Sequence, residues 1–192
     1  MPHIHTGPGQ FDWTVSMFVV RTDGPEPRVL LHRHKTLGLL MQVGGHVELD
    51  ETPWSAVAHE LAEEAGYDLD QVDVLVPPLR PDAVPGNVVH PPPLCVRSVP
   101  VAGGVTAPHV HADLAYALVT TEEPRRAPAA GESQELVWLT RDDLQGLPLG
   151  SADDDVHVLY GFILDRLMGV WEAVPAAGFP TSAPSRPRAE SR

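Results

Sequence analysis

Glu60, Glu63 and Glu64 are the residues of this chain whose types and spacing most clearly call for chemistry. On a helix, Glu60 and Glu64 are i,i+4 neighbours and Glu60 and Glu63 are i,i+3, so each like-charge pair opposes folding by roughly 0.2–0.5 kcal/mol. All three lie toward the end of their helical stretch, where the negative end of the macrodipole disfavours anions further. Acids placed for stability belong in the first turn instead. A divalent cation would reverse the sign of the problem by supplying the missing positive charge, and an all-oxygen donor set suits Mg2+ or Mn2+. The bland alternative is a solvated acidic face.

The element that must position these acids is a helix over 53–65. Thr52-Pro53 pairs an N-cap residue with proline at the first helical position, and Gly66 is a natural residue just past the end. At about 100° per residue, Trp54, Val57, Ala58, Leu61 and Ala65 form one apolar stripe, with the three glutamates expected on the opposite side. An apolar run, Leu39, Leu40, Met41 and Val43, precedes the helix and is expected to turn at Gly44-Gly45.

The full spacing carries more information than the charges. Gly45, five residues, Glu51, seven residues, His59-Glu60-Leu61, one residue, Glu63-Glu64, one residue and Gly66-Tyr67 follow one another in that order. This resembles the Nudix box, with His59 standing where the family has arginine and Tyr67 at the last apolar position. The resemblance implies an α/β fold, an α/β/α sandwich with a mixed β-sheet, in which the box forms a loop–helix–loop. It implies a hydrolase that cleaves the diphosphate linkage of a nucleoside diphosphate joined to another group. It also implies Mg2+ or Mn2+ held by Glu60, Glu63, Glu64 and the carbonyl of Gly45. Glu60 is a candidate base, a role that some members give to a later loop, and Glu51 matches the acid that pairs with the box arginine. Histidine lacks arginine's permanent two-pronged charge, so Glu51 is expected to be held more weakly or in a pH-dependent way. A Nudix-like nucleotide-binding or regulatory protein with little or no turnover is the alternative. Retention of every carboxylate favours the enzyme, because a pure binder has no use for a repulsive cluster.

Further candidates flank the box. His109, His111 and Asp113 alternate on an extended segment, so they share one face, suited to phosphate or to a further metal. Ala115 and Ala117 continue that face and would leave room for a ligand, whereas Ala112, Leu114, Tyr116 and Leu118 form the core face. Ordinary surface histidines at a strand entrance are the competing reading. His46 lies within the box loop, and His32 and His34 alternate beside Arg33 and Lys35, where phosphate contact is conceivable. Glu132 and Glu135 occupy an acidic turn from which, by the resemblance, an extra ligand or base could come. Trp13 is the best aromatic candidate for stacking on a base, and Cys95 reads as a buried strand thiol.

The bulk properties restrict the partners. A formal charge of −13 over 192 residues argues against nucleic acid and against an anionic membrane surface. One cysteine leaves no internal disulfide, and no apolar run approaches the length of a membrane span, so a cytoplasmic location is expected. The partner expected is a small nucleotide or nucleoside diphosphate substrate, with a homodimer common in the family. Residues 1–172 read as a single domain, with an N-terminal arm over 1–11 and a proline-rich loop over 77–93. Strands are expected over 12–21, 28–34, 39–43, 72–76, 94–101, 112–120 and 136–139, a short helix at 141–144 and a longer one over 153–171. Residues 173–192 have the composition of a disordered tail.

Overall fold

The computed structural model describes residues 9–102 and 108–182. Nine strands form one mixed sheet: β1 (Phe11–Arg21), β2 (Arg28–Arg33), β3 (Leu40–Met41), β4 (Val43–His46), β5 (Asp73–Val76), β6 (Cys95–Val101), β7 (His109–Thr120), β8 (Leu136–Leu139) and β9 (Glu172–Pro175). Three helices accompany them: α1 (Pro53–Ala65), α2 (Arg141–Gln145) and α3 (Asp154–Phe162). The main path of the sheet runs β3-β2-β1-β7-β5-β9, with β4 added to β1, β6 to β7 and β8 to β2. The central pair, β1 and β7, is parallel along its whole length, and every other pairing is antiparallel.

Strand alternation sorts the side chains into two cores. Val15, Met17 and Val19 of β1 pack with Tyr116 and Leu118 of β7 against Trp54, Val57, Leu61 and Ala65 of α1. Phe18 and Val20 point the other way, joining Ala115 and Ala117 under Val156 and Tyr160 of α3. The result is the α/β/α sandwich that the box resemblance implies. Ala115 and Ala117 therefore do not line an open ligand face. They are fully buried, and their small size lets α3 and Phe18 approach the sheet.

The terminal segments differ from expectation as well. Residues 1–8 of the arm lie outside the described residues, and Phe11 already belongs to β1. Residues 173–175, read as the start of a tail, belong with Glu172 to β9 along β5, and Pro175 is tolerated there because the strand is at the sheet edge. Beyond it Ala176 is buried and Phe179 meets the Trp54 ring at 5.9 Å, so apolar contacts override the proline-rich composition. Residues 183–192 lie outside the described residues. The last helix is shorter than 153–171: Asp153 caps it, and after Phe162 it widens into a π-helical turn over Ile163–Leu167. Among the described residues, no helix is long and apolar enough to cross a membrane.

One contact between α3 and the sheet closes a gap in the hydrogen bonding. β1 and β2 pair only at Val20–Val29 and Arg21–Arg28, and the next rung would join Val19 to Leu30. The Tyr160 hydroxyl occupies that place, accepting from the Val19 N–H at 3.2 Å and donating to the Leu30 carbonyl. Tyr160→Phe would leave both backbone groups buried and unpaired, at a cost of about 1–3 kcal/mol. The melting temperature is expected to fall by roughly 2–4 °C per kcal/mol, read by thermal denaturation at fixed pH. No change in melting temperature would show that the hydroxyl is dispensable.

Candidate active site

Helix α1 is fixed at both ends before its acids come into play. The Thr52 hydroxyl accepts from the Ser55 N–H while the Ser55 hydroxyl accepts from the Thr52 N–H, and Pro53 occupies the first helical position. Gly66 ends the helix with φ of +74°, and a Cβ there would lie 1.8 Å from the Arg126 carbonyl oxygen. The loop after β7 wraps this end. The Ala129 N–H donates to the Glu63 carbonyl at 2.7 Å and the Arg126 N–H to the Gly66 carbonyl at 3.3 Å.

The three glutamates do not fan into solvent. Glu60 is 1% exposed and Glu64 is 6% exposed, whereas the Glu63 side chain remains partly open. The solvated acidic face is thereby excluded. The apolar stripe is shifted in keeping with this, with Ala56 buried and Ala58 only partly so. The flank of α1 that carries Glu60 and Glu64 turns toward the sheet beside β4, where the Gly44 N–H donates to Glu64 Oε2 at 2.8 Å. Gly44 is not the turn expected from sequence. It lies in β4 opposite Ser16, and a Cβ on it would come within 2.3 Å of the Val15 carbonyl oxygen.

Burial of like charges sets the electrostatics. Glu60 is pushed up to about 8, first by desolvation and then by the charges of Glu64 and Glu63. Glu64 is pushed up to about 7 by desolvation, against the lowering effect of the Gly44 N–H. Both oxygens of Glu60 are buried without a hydrogen-bond partner. A buried, unpartnered carboxylate beside two more acids fits a hard divalent cation, which is the group the family implies. Among the described residues, no three His, Cys, Asp or Glu side chains already enclose a common metal position. Such a site would leave coordination positions for water or phosphate oxygens, as Mg2+ sites commonly do.

His59 bridges two acids instead of clamping one. Its Nδ1 lies 3.2 Å from Glu51 Oε1 and its Nε2 lies 3.2 Å from Glu63 Oε1. Burial opposes its protonation, but hydrogen bonds and charges from Glu63 and Glu51 outweigh burial and raise its pKa. Glu51 is further held by the Glu48 N–H at 3.1 Å. Glu132 stands close enough for its charge to raise both Glu60 and Glu64, and it is ion-paired with Lys35 at 3.1 Å. Glu135 is engaged at the surface by Arg33 at 3.0 Å. Glu51, His59, Glu60, Glu63, Glu64 and Glu132 thus form one group.

His46, His109, His111 and Asp113 gather on the other face of the sheet. Gly45 and His46 are consecutive in β4, and His46 sits opposite Thr14, which in turn pairs with Asp113 across the parallel ladder. His46 is buried 3.4 Å from Asp12, its ring 5.0 Å from that of His111, and His111 Nε2 lies 3.1 Å from His109 Nε2. Asp113 accepts from the Thr14 and Ser16 hydroxyls at 2.8 and 2.9 Å and from Arg97 Nε at 2.8 Å, and Arg97 also pairs with Asp155. Trp13 lies half-exposed at the start of β1, on the α1 face by alternation. Sequence reasoning passed over Asp12 and Arg97, which only the register of β1, β6 and β7 brings to this cluster.

Comparison with known proteins agrees with this geometry. The NUDIX domain family matches residues 11–160. A hydrolase of the NUDIX family from Clostridium perfringens is 28% identical with a TM-score of 0.62, covering 81% of this chain and 97% of its own. The NUDIX domain of Shewanella oneidensis NrtR, in complex with ADP ribose, is 18% identical with a TM-score of 0.56, over 85% of this chain and 90% of its own. A C. elegans Ap4A hydrolase is 16% identical with a TM-score of 0.56, over 82% of this chain and 98% of its own. These last two bear on the fold alone. No curated protein matches the sequence significantly. The chain belongs to the Nudix family, and as such it is a hydrolase acting on phosphoric anhydride bonds.

The raised carboxyls have a consequence for stability. Each binds its proton more tightly folded than unfolded, so its stabilising contribution is complete below the ordinary value of 4.5 and is lost as the pH rises through about 8 for Glu60 and about 7 for Glu64. Metal-free protein is expected to lose about 1 kcal/mol, roughly 2–4 °C in Tm, between about pH 7 and about pH 8.5. Glu60→Gln should flatten that decline, and Mn2+ should stabilise the native chain more at the higher pH, both read by thermal melts. An equal decline in the variant would remove Glu60 as its source.

Proposed function

We propose that this protein is a divalent-cation-dependent pyrophosphohydrolase that cleaves the diphosphate linkage of a nucleotide or a nucleoside diphosphate conjugate. The observation that carries the reading is the Glu60 carboxylate, buried with neither oxygen partnered and flanked by Glu63 and Glu64. Glu60, Glu63, Glu64 and the Gly45 carbonyl would hold the cation. When bound, Mg2+ or Mn2+ would neutralise charge on phosphoryl oxygens and lower the pKa of bound water. The substrate class is proposed by analogy with proteins of the same fold, one described in complex with ADP ribose and another as an Ap4A hydrolase.

The residues of the chain then have distinct tasks. Gly44 fixes Glu64 through its N–H. His59 ties Glu51 to Glu63 and so restrains the exposed acid of the group. Glu60 is the candidate for taking the proton of the attacking water. The water oxygen bonds to one phosphorus, the bridging P–O bond breaks, and the departing phosphate keeps that bridging oxygen. Lys35, held by Glu132 and close enough to act on the charge of Glu64, is a cation available to substrate phosphates.

The test is product release from a panel of nucleotides, nucleoside diphosphate sugars and dinucleoside polyphosphates with Mg2+ or Mn2+, against an EDTA control. Glu60→Gln and Glu64→Gln should each lower turnover at least about a hundredfold while the protein stays folded. Full turnover in both variants would sink the assignment, and binding without release across the panel would favour a regulatory role. His59→Ala is expected to cost about tenfold in turnover through loosened Glu51 and Glu63, and His59→Arg to restore most of it. Equal rates for native protein and the alanine variant would show that the bridge is idle.

A further inference from the structure

We infer that Nδ1 of His32 is a nitrogen ligand of the same cation site, beside Glu64. The inference rests on the cation reading above and adds a donor from outside the box. His32 lies on β2 two residues after Leu30, whose side chain belongs to the α1 core, so its imidazole points to the α1 side. It is paired on one edge with Met41 of β3 and on the other with Leu136 of β8, which fixes the backbone that carries it. Only 4% of its side chain is accessible, and Nδ1 is buried without a hydrogen-bond partner.

The distance to Glu64 decides what can lie between them. Nδ1 is 3.9 Å from Glu64 Oε2, too far for a hydrogen bond. Two donors each about 2.1 Å from one ion can be at most about 4.2 Å apart, so a single ion fits this gap. Glu64 Oε2 already accepts from Gly44, but a carboxylate oxygen has a second lone pair. A neutral imidazole with its proton on Nε2 presents a free lone pair at Nδ1. Such a donor favours Mn2+ and later transition metals over Mg2+, which prefers oxygen.

Pulsed EPR of the full chain loaded with Mn2+ tests this without reference to turnover. The expected result is saturable Mn2+ binding with a 14N coupling from a directly bound nitrogen. The coupling should be lost in His32→Gln and kept in His59→Gln, and the preference for Mn2+ over Mg2+ should fall about tenfold in His32→Gln. Saturable binding with no 14N coupling in the native protein overturns the role of His32 and leaves the carboxylate site standing. A coupling that survives in folded His32→Gln also overturns it. Absence of saturable Mn2+ binding removes the cation site itself, and this inference with it. Should His32→Gln not fold, the native spectrum and that of His59→Gln still decide the matter.

Discussion

The structure is arranged around two carboxylates that would be more stable in water. Glu60 and Glu64 are one turn apart on the same helix, both buried, and both driven toward the protonated form by desolvation. Taking such groups out of water without a partner is among the larger penalties a small domain can carry. The rest of α1 offsets it. Trp54, Val57, Leu61 and Ala65 lock one side of the helix into the core, the Thr52–Ser55 box holds its start, and the loop after β7 takes up carbonyls at its end. The favourable packing is contributed by residues with no chemistry of their own. They hold the acids in a position the acids would not choose.

His59 shows how a departure from the family pattern can be absorbed. An arginine fork approaches one carboxylate with two parallel donors. Imidazole has its two nitrogens on different edges of the ring, and here each edge meets a different acid, Glu51 and Glu63. Both contacts are donor contacts only when the ring is protonated, and the same two acids favour that state. The sequence expectation of weaker, pH-dependent restraint on Glu51 therefore has a definite geometric form. The two contacts are strongest when shared by one charged ring, so Glu51 and Glu63 are coupled through His59.

Much of the fold was legible because its elements are locally periodic and locally punctuated. The bounds of α1 were readable from Thr52-Pro53 and Gly66, and the central strands from their β-branched and aromatic runs. The burial of Glu60 and Glu64 was not, because a helical wheel gives a direction and says nothing of what will cover it. Here β4 lies against the flank through the Gly44 N–H, and Glu132, from a loop distant in sequence, stands near enough to act on Glu60 by its charge. Ala115 and Ala117 misled for the same reason: alternation placed them beside Asp113, but α3 covers that half of the face. Asp12 and Arg97 carried no local signal either. They meet the histidines and Asp113 only through the registers of β1 with β7 and β6 with β7.

Gly44 is where these constraints meet. Its N–H holds Glu64, while its α-carbon lies against the backbone of Val15 and Ser16 so closely that any side chain would enter the Val15 carbonyl. Moving β4 away from β1 to make room would loosen the anchor of Glu64. It would also displace His46, two residues on and opposite Thr14, from its place near Asp12 and His111. The strand period of two sends successive residues to opposite faces, so one close approach between β1 and β4 sets both the acid site on the α1 side and the imidazole cluster on the other. Glycine at position 44 is therefore required by strand proximity.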